Sequence, residues 1–467
     1  MFQLKNEWEQ TNDLSLYGLR KAYKLDIANG NNALYLQYVQ GISLRQFFTD
    51  HPWDLKEIIH VGVQIAKILS GVHAAGVIHK DINPRNILVS DPLREITLID
   101  FGIATKLSLK SDYSIAPEKL EGSLAYISPE QTGRMNRTVD VRSDLYSLGV
   151  TLYELLAQRL PFNASNAIEF IYCHIAEKAV APHVVNGRVP MVVSDIVMKL
   201  MEKNAEDRYQ SAMGLKHDLE TVLRALDKNE PVLSFDLGAR DFSNRFQIPQ
   251  KLYGREREVD QLLHLFDSSA DGGSETCFVT GFSGVGKSTL IHEIYRPVTE
   301  RRGIFIEGKF DQYQRNIPYQ AFSVAFRSFV QQLLGDTEKG LNDWRHFIQD
   351  ALGDNAGVIT ALIPEFEMII GKQESPPSVG PVESQNRFNF TFIQFLRELA
   401  SADHPLVLFL DDLQSADLAS LSLLKALISA SLSHFYFIGA YRDNEVSSEH
   451  PMLAPKAQMT PVKTVVK

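Results

Sequence analysis

HKDINPRNILVSDPLREITLIDFG, residues 79–102, decides the fold of the first half of the chain. It contains two short apolar runs, at 87–89 and 96–99, which are separated by Asp91 and Pro92. Short apolar runs on either side of turn-forming residues predict a β-hairpin. Such a hairpin would bring the polar residues before its first strand next to those after its second strand.

Three of these polar residues have the chemistry that phosphoryl transfer requires. Asp81 is placed to orient an attacking hydroxyl group. Asn86 and Asp100 provide oxygen atoms of the kind that hard cations bind, and the hairpin would bring the two together. We therefore predict a site for a Mg²⁺-nucleotide, with Asp81 as a catalytic residue and Asn86 and Asp100 as metal ligands.

A second phosphate-binding motif, GFSGVGKS, occupies residues 281–288. It follows an apolar run and precedes a run with helical spacing, which is the strand-loop-helix context that this motif requires. Glycines let the backbone wrap around phosphate groups, Lys287 reaches the β- and γ-phosphates, and Ser288 holds Mg²⁺. The residues predicted to bind ATP here are Gly281, Ser283, Gly284, Gly286, Lys287, Ser288 and Thr289.

Two later apolar runs end in polar residues that would complete this second site. The run LVLFL at 406–410 is followed by Asp411, a predicted metal ligand, and by Asp412, predicted to polarise the attacking water. The run FYFIGA at 435–440 precedes Arg442, predicted to sense the γ-phosphate, with a plain surface arginine as the alternative. Short strands that alternate with helices predict an α/β P-loop NTPase domain.

Composition and charge argue against several other classes of protein. The net charge of −10 gives no support for a nucleic-acid-binding surface. No run of about 18 apolar residues is present, so no membrane span is predicted. Two cysteines in 467 residues suit a reducing compartment, and a cytoplasmic location is expected.

Residues 1–223 resemble the eukaryotic-type protein kinase family. The matching motifs are HKD at 79–81, with a lysine in place of the usual arginine, DFG at 100–102, and GSLAYISPE at 122–130. The resemblance implies an α+β kinase fold with a mainly helical C-terminal lobe. The third motif fits serine/threonine kinases, so the expected partner is a protein substrate that presents serine or threonine.

The resemblance also assigns single residues. Glu130 is expected to pair with Arg208, and Asp144 is expected to be structural. Asn83 stands where serine/threonine kinases usually carry a lysine, and Arg85 stands where tyrosine kinases carry an arginine. We therefore predict that Arg85 is a catalytic residue that supplies charge near the transferred phosphate, with a solvated surface charge as the alternative.

Two parts of a kinase N-terminal lobe are not found before the catalytic loop, namely the glycine-rich loop and the strand lysine. Glu7 matches the family glutamate that pairs with this lysine. The chain is therefore expected to begin partway through the domain, which makes the N-terminal lobe incomplete. Little kinase turnover is expected from the chain alone.

The second half resembles the AAA-type signalling ATPases of bacteria. The motifs that carry this resemblance are LYGRE at 252–256, the P-loop, DDLQSAD at 411–417 and GAYRD at 439–443. Together with GRMNR at 133–137 and EGKFDQY at 307–313, they resemble large bacterial sensor kinases. Those proteins join a serine/threonine kinase, an ATPase, a sensing domain and a histidine kinase.

The predicted organisation has four parts. These are a kinase-like domain at 1–223, a linker at 224–251, an AAA-type ATPase domain at 252–446 and an irregular tail at 447–467. The expected function is ATP-dependent serine/threonine phosphorylation in bacterial signal transduction, coupled to the ATPase module. The alternative is a pseudokinase scaffold with a nucleotide-binding switch. Downstream sensing or histidine-kinase domains, or an oligomer, are the further partners expected.

Overall fold

The structure is a computed structural model. It describes residues 2–28, 31–51, 53–90, 95–106, 122–135, 137–164, 166–241, 254–311, 317–334, 338–374, 376–377, 379–446 and 465–466. The chain folds into two units, of which the first takes in most of residues 1–249 and the second includes residues 250–467. None of the helices within these ranges is long and apolar enough to cross a membrane.

Helices are the predominant secondary structure of the first unit. The helices in this half of the chain are Phe2–Thr11 (α1), Leu44–Asp50 (α2), Leu55–Ala74 (α3), Val141–Ala157 (α4), Ala167–Ile175 (α5), Pro182–Val185 (α6), Met191–Leu200 (α7) and Ala212–Asp227 (α8). The strands are Ala22–Ala28 (β1), Asn31–Leu36 (β2), Ile42–Ser43 (β3), Val77–Ile78 (β4), Ile87–Ser90 (β5), Glu95–Leu98 (β6) and Thr105–Lys106 (β7). The sheets that they form are small, with β1 paired to β2, β4 to β7, and β5 to both β3 and β6.

The predicted hairpin is present. Strands β5 and β6 are antiparallel, with Ile87 opposite Leu98. Just beyond this pair, the N–H group of Ile99 donates to the carbonyl oxygen of Asn86 at 3.0 Å. The residues before β5 and after β6 are therefore neighbours, although the turn at 91–94 lies outside the described residues.

Helix α3 is the central helix of this unit. It begins after Asp54, whose side chain accepts a hydrogen bond from the N–H group of Glu57 and so caps the first turn. The helical spacing of the apolar residues from Leu55 to Val72 predicts a helix that runs up to His79, and this prediction is wrong. The helix ends at Ala74, because Gly76 has a φ of 79°, in the left-handed region, and strand β4 follows directly.

Close packing of three helices forms the core of the first unit. Gly62 of α3 faces Leu219 of α8 and Leu152 of α4, and a Cβ atom at this position would lie 3.2 Å and 3.4 Å from their methyl groups. Helix α4 is buried along nearly its whole length, as its apolar sequence predicted. Helix α8 ends at Asp227, past the predicted boundary at 223, and residues 228–241 contain no helix or strand.

The second unit is an α/β fold. Its helices are Glu256–Ala270 (α9), Lys287–His292 (α10), Tyr295–Glu300 (α11), Gln320–Leu334 (α12), Glu338–Leu352 (α13), Ala356–Thr360 (α14), Glu367–Ile370 (α15), Pro381–Leu399 (α16) and Leu418–Ser429 (α17). Its strands are Ser274–Thr280 (β8), Ile304–Lys309 (β9), Leu406–Asp411 (β10), Phe435–Tyr441 (β11) and Val465–Val466 (β12).

These strands form one parallel sheet in the order β12-β8-β11-β10-β9. Strand β10 is buried on both faces, with Leu408 in one apolar cluster and Phe409 in the other, as expected of a parallel sheet covered by helices. Strand β12 lies in the segment predicted to be an irregular tail, whose residues 447–464 are outside the described part of the chain. The carboxyl ends of β8, β11, β10 and β9 lie at one edge of the sheet.

Candidate functional sites

The candidate catalytic loop of the first unit is fixed to helix α4 by Asp144. Its buried carboxylate accepts hydrogen bonds from the N–H groups of His79 at 2.9 Å and Lys80 at 2.8 Å, and from His73 Nε2 at 2.8 Å. Burial alone would raise the pKa of Asp144, but the hydrogen bond and charge of His73 lower it below its usual value. Asp144 therefore holds the loop in place, which is the structural role that the resemblance implied.

The carboxylate of Asp81 is held at both oxygens. Oδ1 accepts from the N–H group of Ser123 at 2.9 Å, and Oδ2 accepts from Asn86 Nδ2 at 2.8 Å. Asn83 Nδ2 donates to the carbonyl oxygen of Asp81 at 3.1 Å, and to the hydroxyl oxygen of Ser123 at 3.3 Å. Two loops that are distant in sequence therefore hold one carboxylate in a defined orientation.

Asn86 precedes strand β5 and Asp100 follows strand β6, so the hairpin brings these two predicted metal ligands of the first unit near each other. Asn86 uses its amide nitrogen toward the backbone and side chain of Asp81, at 3.0 Å and 2.8 Å, which leaves its amide oxygen for a cation. Asp100 adopts a φ of 66°, and its Oδ1 accepts from the N–H group of Gly102 at 3.2 Å. These amide and carboxylate oxygens fit a hard cation such as Mg²⁺.

Arg85 lies in the same loop with its side chain exposed to solvent. Its backbone N–H group donates to Asn83 Oδ1 at 2.9 Å, which fixes the loop but not the guanidinium group. Burial and the Glu154 carboxylate raise the pKa of Tyr126, and the charges of Arg45 and Arg85 oppose that rise. Arg85 is thus close to Tyr126, which lies in the same segment as Ser123. The catalytic role of Arg85 stays a prediction.

Helix α1 contacts the segment that follows Asp100. Asn6 Nδ2 donates to the carbonyl oxygens of Gly102 at 3.0 Å and Ala104 at 2.8 Å. Glu7, on the same helix, is buried and accepts from Arg20 Nη2 at 3.0 Å. The glutamate that the resemblance matched to a strand lysine therefore has an arginine as its partner in this structure.

The P-loop of the second unit follows strand β8. Gly284 and Gly286 have φ values of 79° and 89°, and a Cβ atom at either position would meet no atom within 4 Å. Lys287 Nζ donates to the carbonyl oxygens of Gly281 and Phe282, at 3.0 Å each. A left-handed glycine backbone that faces open space, with a lysine over the loop, fits the phosphate groups of a nucleotide.

The other predicted residues of this site lie around the same loop. Ser288 Oγ donates to Asp411 Oδ2 at 3.0 Å, so the two predicted ligands of one metal ion are in contact across the sheet edge. Ser283 is exposed within the loop, and Thr289 lies in the first turn of α10. Their nucleotide-binding roles stay predictions.

Asp412 is bracketed by side chains from both neighbouring strand ends. Oδ2 lies 3.3 Å from Lys309 Nζ, and Oδ1 lies 3.3 Å from Arg442 Nε and accepts from Gln414 Nε2 at 2.9 Å. Burial alone would raise the pKa of Asp412, but the hydrogen bond from Gln414 and the charges of Lys309 and Arg442 lower it. A carboxylate with a lowered pKa is a weaker proton acceptor. The role of Asp412 toward an attacking water stays a prediction.

Several contacts at the two sites involve residues to which the sequence analysis gave no role there. Lys309 ends strand β9, directly opposite Asp411 in the sheet register, and Gln414 joins Asp412 to the N–H group of Arg442. The apolar run before Lys309 could have identified this residue as the end of a strand. It could not have shown which strand lies beside it. In the first unit, Gln131 Nε2 donates to the carbonyl oxygen of Lys80 at 2.8 Å.

Comparisons with known proteins match these two sites to two families. The family described as protein kinase domain matches residues 4–219, and the family described as AAA ATPase domain matches residues 251–438. Both matches include the candidate site residues of their half of the chain, except that Arg442 lies beyond the second match.

Individual relatives show similarity to one half or to both. Hybrid signal transduction histidine kinase G of Dictyostelium discoideum is 33% identical over 464 residues, which cover 81% of this chain and 14% of that protein. A probable serine/threonine-protein kinase of Clostridium perfringens is 34% identical over 221 residues, or 47% of this chain and 31% of that protein. Histidine protein kinase 1 of Candida albicans is 26% identical over 350 residues, or 69% of this chain and 14% of that protein.

The chain therefore spans less than a third of the length of each of these relatives. The matches to the two histidine kinases, of 464 and 350 residues, are longer than either domain match in this chain. The match to the Clostridium perfringens kinase, of 221 residues, is about as long as the kinase domain match. The order of the two domain matches is the order that the sequence motifs predicted. The chain therefore has a multi-domain architecture, in which a protein kinase domain is followed by an AAA ATPase domain.

Proposed function

We propose that this protein is an ATP-dependent serine/threonine kinase of a bacterial signal-transduction system, coupled to a nucleotide-binding ATPase module. The observation that carries the proposal is the double anchoring of Asp81, by Asn86 Nδ2 at 2.8 Å and the N–H group of Ser123 at 2.9 Å. A carboxylate held in this way is ready to orient a hydroxyl nucleophile without reorganising. The names of the relatives, serine/threonine-protein kinase and signal transduction histidine kinase, support the signalling role.

In this proposal each residue of the kinase site has a separate task. Asp81 orients the serine or threonine hydroxyl group of a protein substrate and accepts its proton. Asn86 and Asp100 hold Mg²⁺ through their oxygen atoms, and the bound ion neutralises charge on the nucleotide phosphates. Arg85 adds a positive charge beside the phosphate that is transferred.

The ATPase module has its own set of proposed roles. The loop from Gly281 to Ser288 binds the phosphates, with Lys287 on the β- and γ-phosphates. Ser288 and Asp411 hold the Mg²⁺ that accompanies the nucleotide. Asp412 orients the attacking water, and Arg442 contacts the γ-phosphate. The direct hydrogen bond between Ser288 and Asp411 supports this assignment.

A pseudokinase scaffold with a nucleotide-binding switch is the second candidate. The ion pair between Glu7 and Arg20 favours it, because Glu7 is the residue matched to the glutamate that pairs with a strand lysine in active kinases. Asn83, at a position where serine/threonine kinases usually carry a lysine, points the same way. In this candidate the first unit recruits partners and the second unit binds nucleotide.

Radiolabelled phosphate transfer tests the two candidates against each other. Wild-type protein is incubated with γ-labelled ATP, Mg²⁺ and casein, beside Asp81→Asn and the exposed control Asp13→Asn. A kinase labels itself or casein, and only Asp81→Asn loses at least about a hundredfold of the rate. Labelling that does not depend on Asp81 would refute the kinase. No labelling by this chain, while Lys287-dependent nucleotide binding persists, would favour the scaffold.

A further inference from the structure

Lys309 is a basic residue at the P-loop edge of the sheet for which the proposed ATPase site has no role. It ends strand β9, and its sheet partner is Asp411 at the end of β10. In parallel sheets of α/β proteins, ligands lie outside the carboxyl ends of the strands. Lys309 is therefore on the ligand side of the sheet, one strand from the carboxylate that contacts Ser288.

Lys309 belongs to a group that we name the strand-end cluster. Its members are Lys309, Asp411, Asp412, Gln414 and Arg442. Within it, Asp412 is the fixed part: it is only 8% exposed, has a φ of 52°, and accepts a hydrogen bond from Gln414. Two cations from the two adjacent strand ends, Lys309 and Arg442, lie 3.3 Å from its two oxygens.

The cation on the β9 side is the movable part of the strand-end cluster. The Lys309 side chain is 67% exposed, so its ion pair with the buried Asp412 is open to solvent on the lysine side only. Solvent screens the charge of an exposed lysine and leaves its side chain free to reorient, so a stronger anionic partner can displace Asp412. Neighbouring strands lie about 4.8 Å apart, so the four-carbon side chain of lysine can reach from the end of β9 across the end of β10.

We propose that Lys309 is a second γ-phosphate ligand of the P-loop site, which pairs with Asp412 when the nucleotide is a diphosphate and with the terminal phosphate when it is a triphosphate. Arg442 approaches the same carboxylate from β11, so the two cations flank the position at the end of β10 from both sides. Lys309 thereby makes the site discriminate between ATP and ADP. This inference rests on the proposed nucleotide site of the second unit.

Equilibrium binding of a non-hydrolysable ATP analogue and of ADP, each with Mg²⁺, tests the proposal on the full chain. Binding that survives Lys287→Ala is subtracted, since it belongs to the kinase half. In Lys309→Gln, the affinity for the triphosphate is expected to fall about tenfold while that for ADP changes less than twofold, because one charge-assisted contact is lost only with the triphosphate. Lys309→Arg, which keeps the charge, restores most of the difference.

The control is Lys425→Gln, which removes an exposed lysine of α17 and is expected to change neither affinity. Equal losses for both nucleotides, or no loss for either, with Lys287-dependent binding intact, would overturn the role of Lys309 alone. No Lys287-dependent binding in the wild type would overturn the nucleotide site and this inference together. Thermal unfolding of each variant separates a loss of contact from a loss of folded protein.

Discussion

Both terminal nitrogens of Arg208 donate to the carboxylate of Glu130, at 2.8 Å and 2.9 Å, and neither side chain is more than 2% exposed. Ser143 Oγ donates to the same carboxylate at 2.6 Å. The pair joins the segment after the catalytic loop to the loop before α8, two parts of the chain that are 78 residues apart. Burial alone would raise the pKa of Glu130, but the charge and hydrogen bonds of Arg208 lower it below its usual value.

Arg208→Met is therefore expected to destabilise the first unit by about 3–5 kcal/mol, because it leaves a buried carboxylate without its partner. Urea denaturation measures the loss. Arg240→Met, at an exposed arginine, is the matched control and should change stability by less than about 0.5 kcal/mol. The double variant with Glu130→Gln should lose less than the sum of the two single variants. A loss below about 1 kcal/mol for Arg208→Met would contradict a structural role for the pair.

Contacts of this kind could be predicted from the sequence where one motif determines both the residue types and the backbone conformation. The hairpin after Asn86 follows from two short apolar runs, and the contact between Ser288 and Asp411 follows from a loop and a strand end with known relative positions. The pairing of Glu130 with Arg208 came from the resemblance to kinases. In each case the residues of one motif determine where the partner must lie.

Other contacts could not be predicted because they depend on strand order or on side-chain competition. Lys309 meets Asp412 only because β9 lies next to β10, and no local pattern near residue 309 specifies its neighbour. The partner of Glu7 depends on which cation is within reach in the folded unit, and Arg20 fills that position. The end of α3 was misjudged because apolar spacing continues through Gly76 into strand β4.

His174 makes the first unit sensitive to mild acid. Its Nδ1 lies 2.9 Å from the Tyr146 hydroxyl group, and burial, then the charge of Lys203, lower its pKa to about 3. In the unfolded chain its pKa is about 6.5, so below that pH the unfolded state binds a proton that the folded state does not. Stability should therefore fall by about 1.4 kcal/mol for each pH unit below about 6.5, as far as pH 3.

His174→Gln tests this prediction because glutamine does not titrate. The difference in the free energy of unfolding between wild type and variant is measured from pH 7.5 to pH 5. It should change by about 2 kcal/mol over the lower part of this range, in the sense that the variant becomes relatively more stable in acid. His60→Gln removes an exposed histidine of α3 and should leave the pH profile unchanged. Parallel profiles for wild type and His174→Gln would show that His174 takes up its proton in the folded state.

Arg85→Ala is expected to lower Asp81-dependent phosphate transfer at least tenfold, because charge opposite a transferring phosphate stabilises the transition state more than the ground state. The loss should appear in kcat, with KM for the protein substrate changed less. Arg45→Ala removes a nearby exposed arginine that lies outside the loop and serves as the control. Unchanged phosphate transfer in Arg85→Ala would identify Arg85 as a solvated surface charge.

Asp411→Asn should weaken the Mg²⁺ dependence of nucleotide binding by the second unit. The Asp411 carboxylate accepts the hydrogen bond of Ser288, so the two residues offer neighbouring oxygen atoms to one ion. Affinity for ATP is measured with and without Mg²⁺, after subtraction of the binding that survives Lys287→Ala. The enhancement by Mg²⁺ should fall about tenfold in both variants, because Asp411→Asn replaces a charged carboxylate by a neutral amide and Ser288→Ala removes the hydroxyl oxygen.

Asp403→Asn, at an exposed aspartate before β10, provides the charge-matched control for this measurement and should keep the full enhancement. Binding without Mg²⁺ should be unchanged or slightly stronger in Asp411→Asn, because the substitution removes a negative charge near the phosphates. Loss of a metal ligand weakens binding only when Mg²⁺ is present. Loss of a residue that supports the fold would weaken binding both with and without Mg²⁺. Weaker binding by the same factor with and without Mg²⁺ would exclude Asp411 as a ligand of the ion.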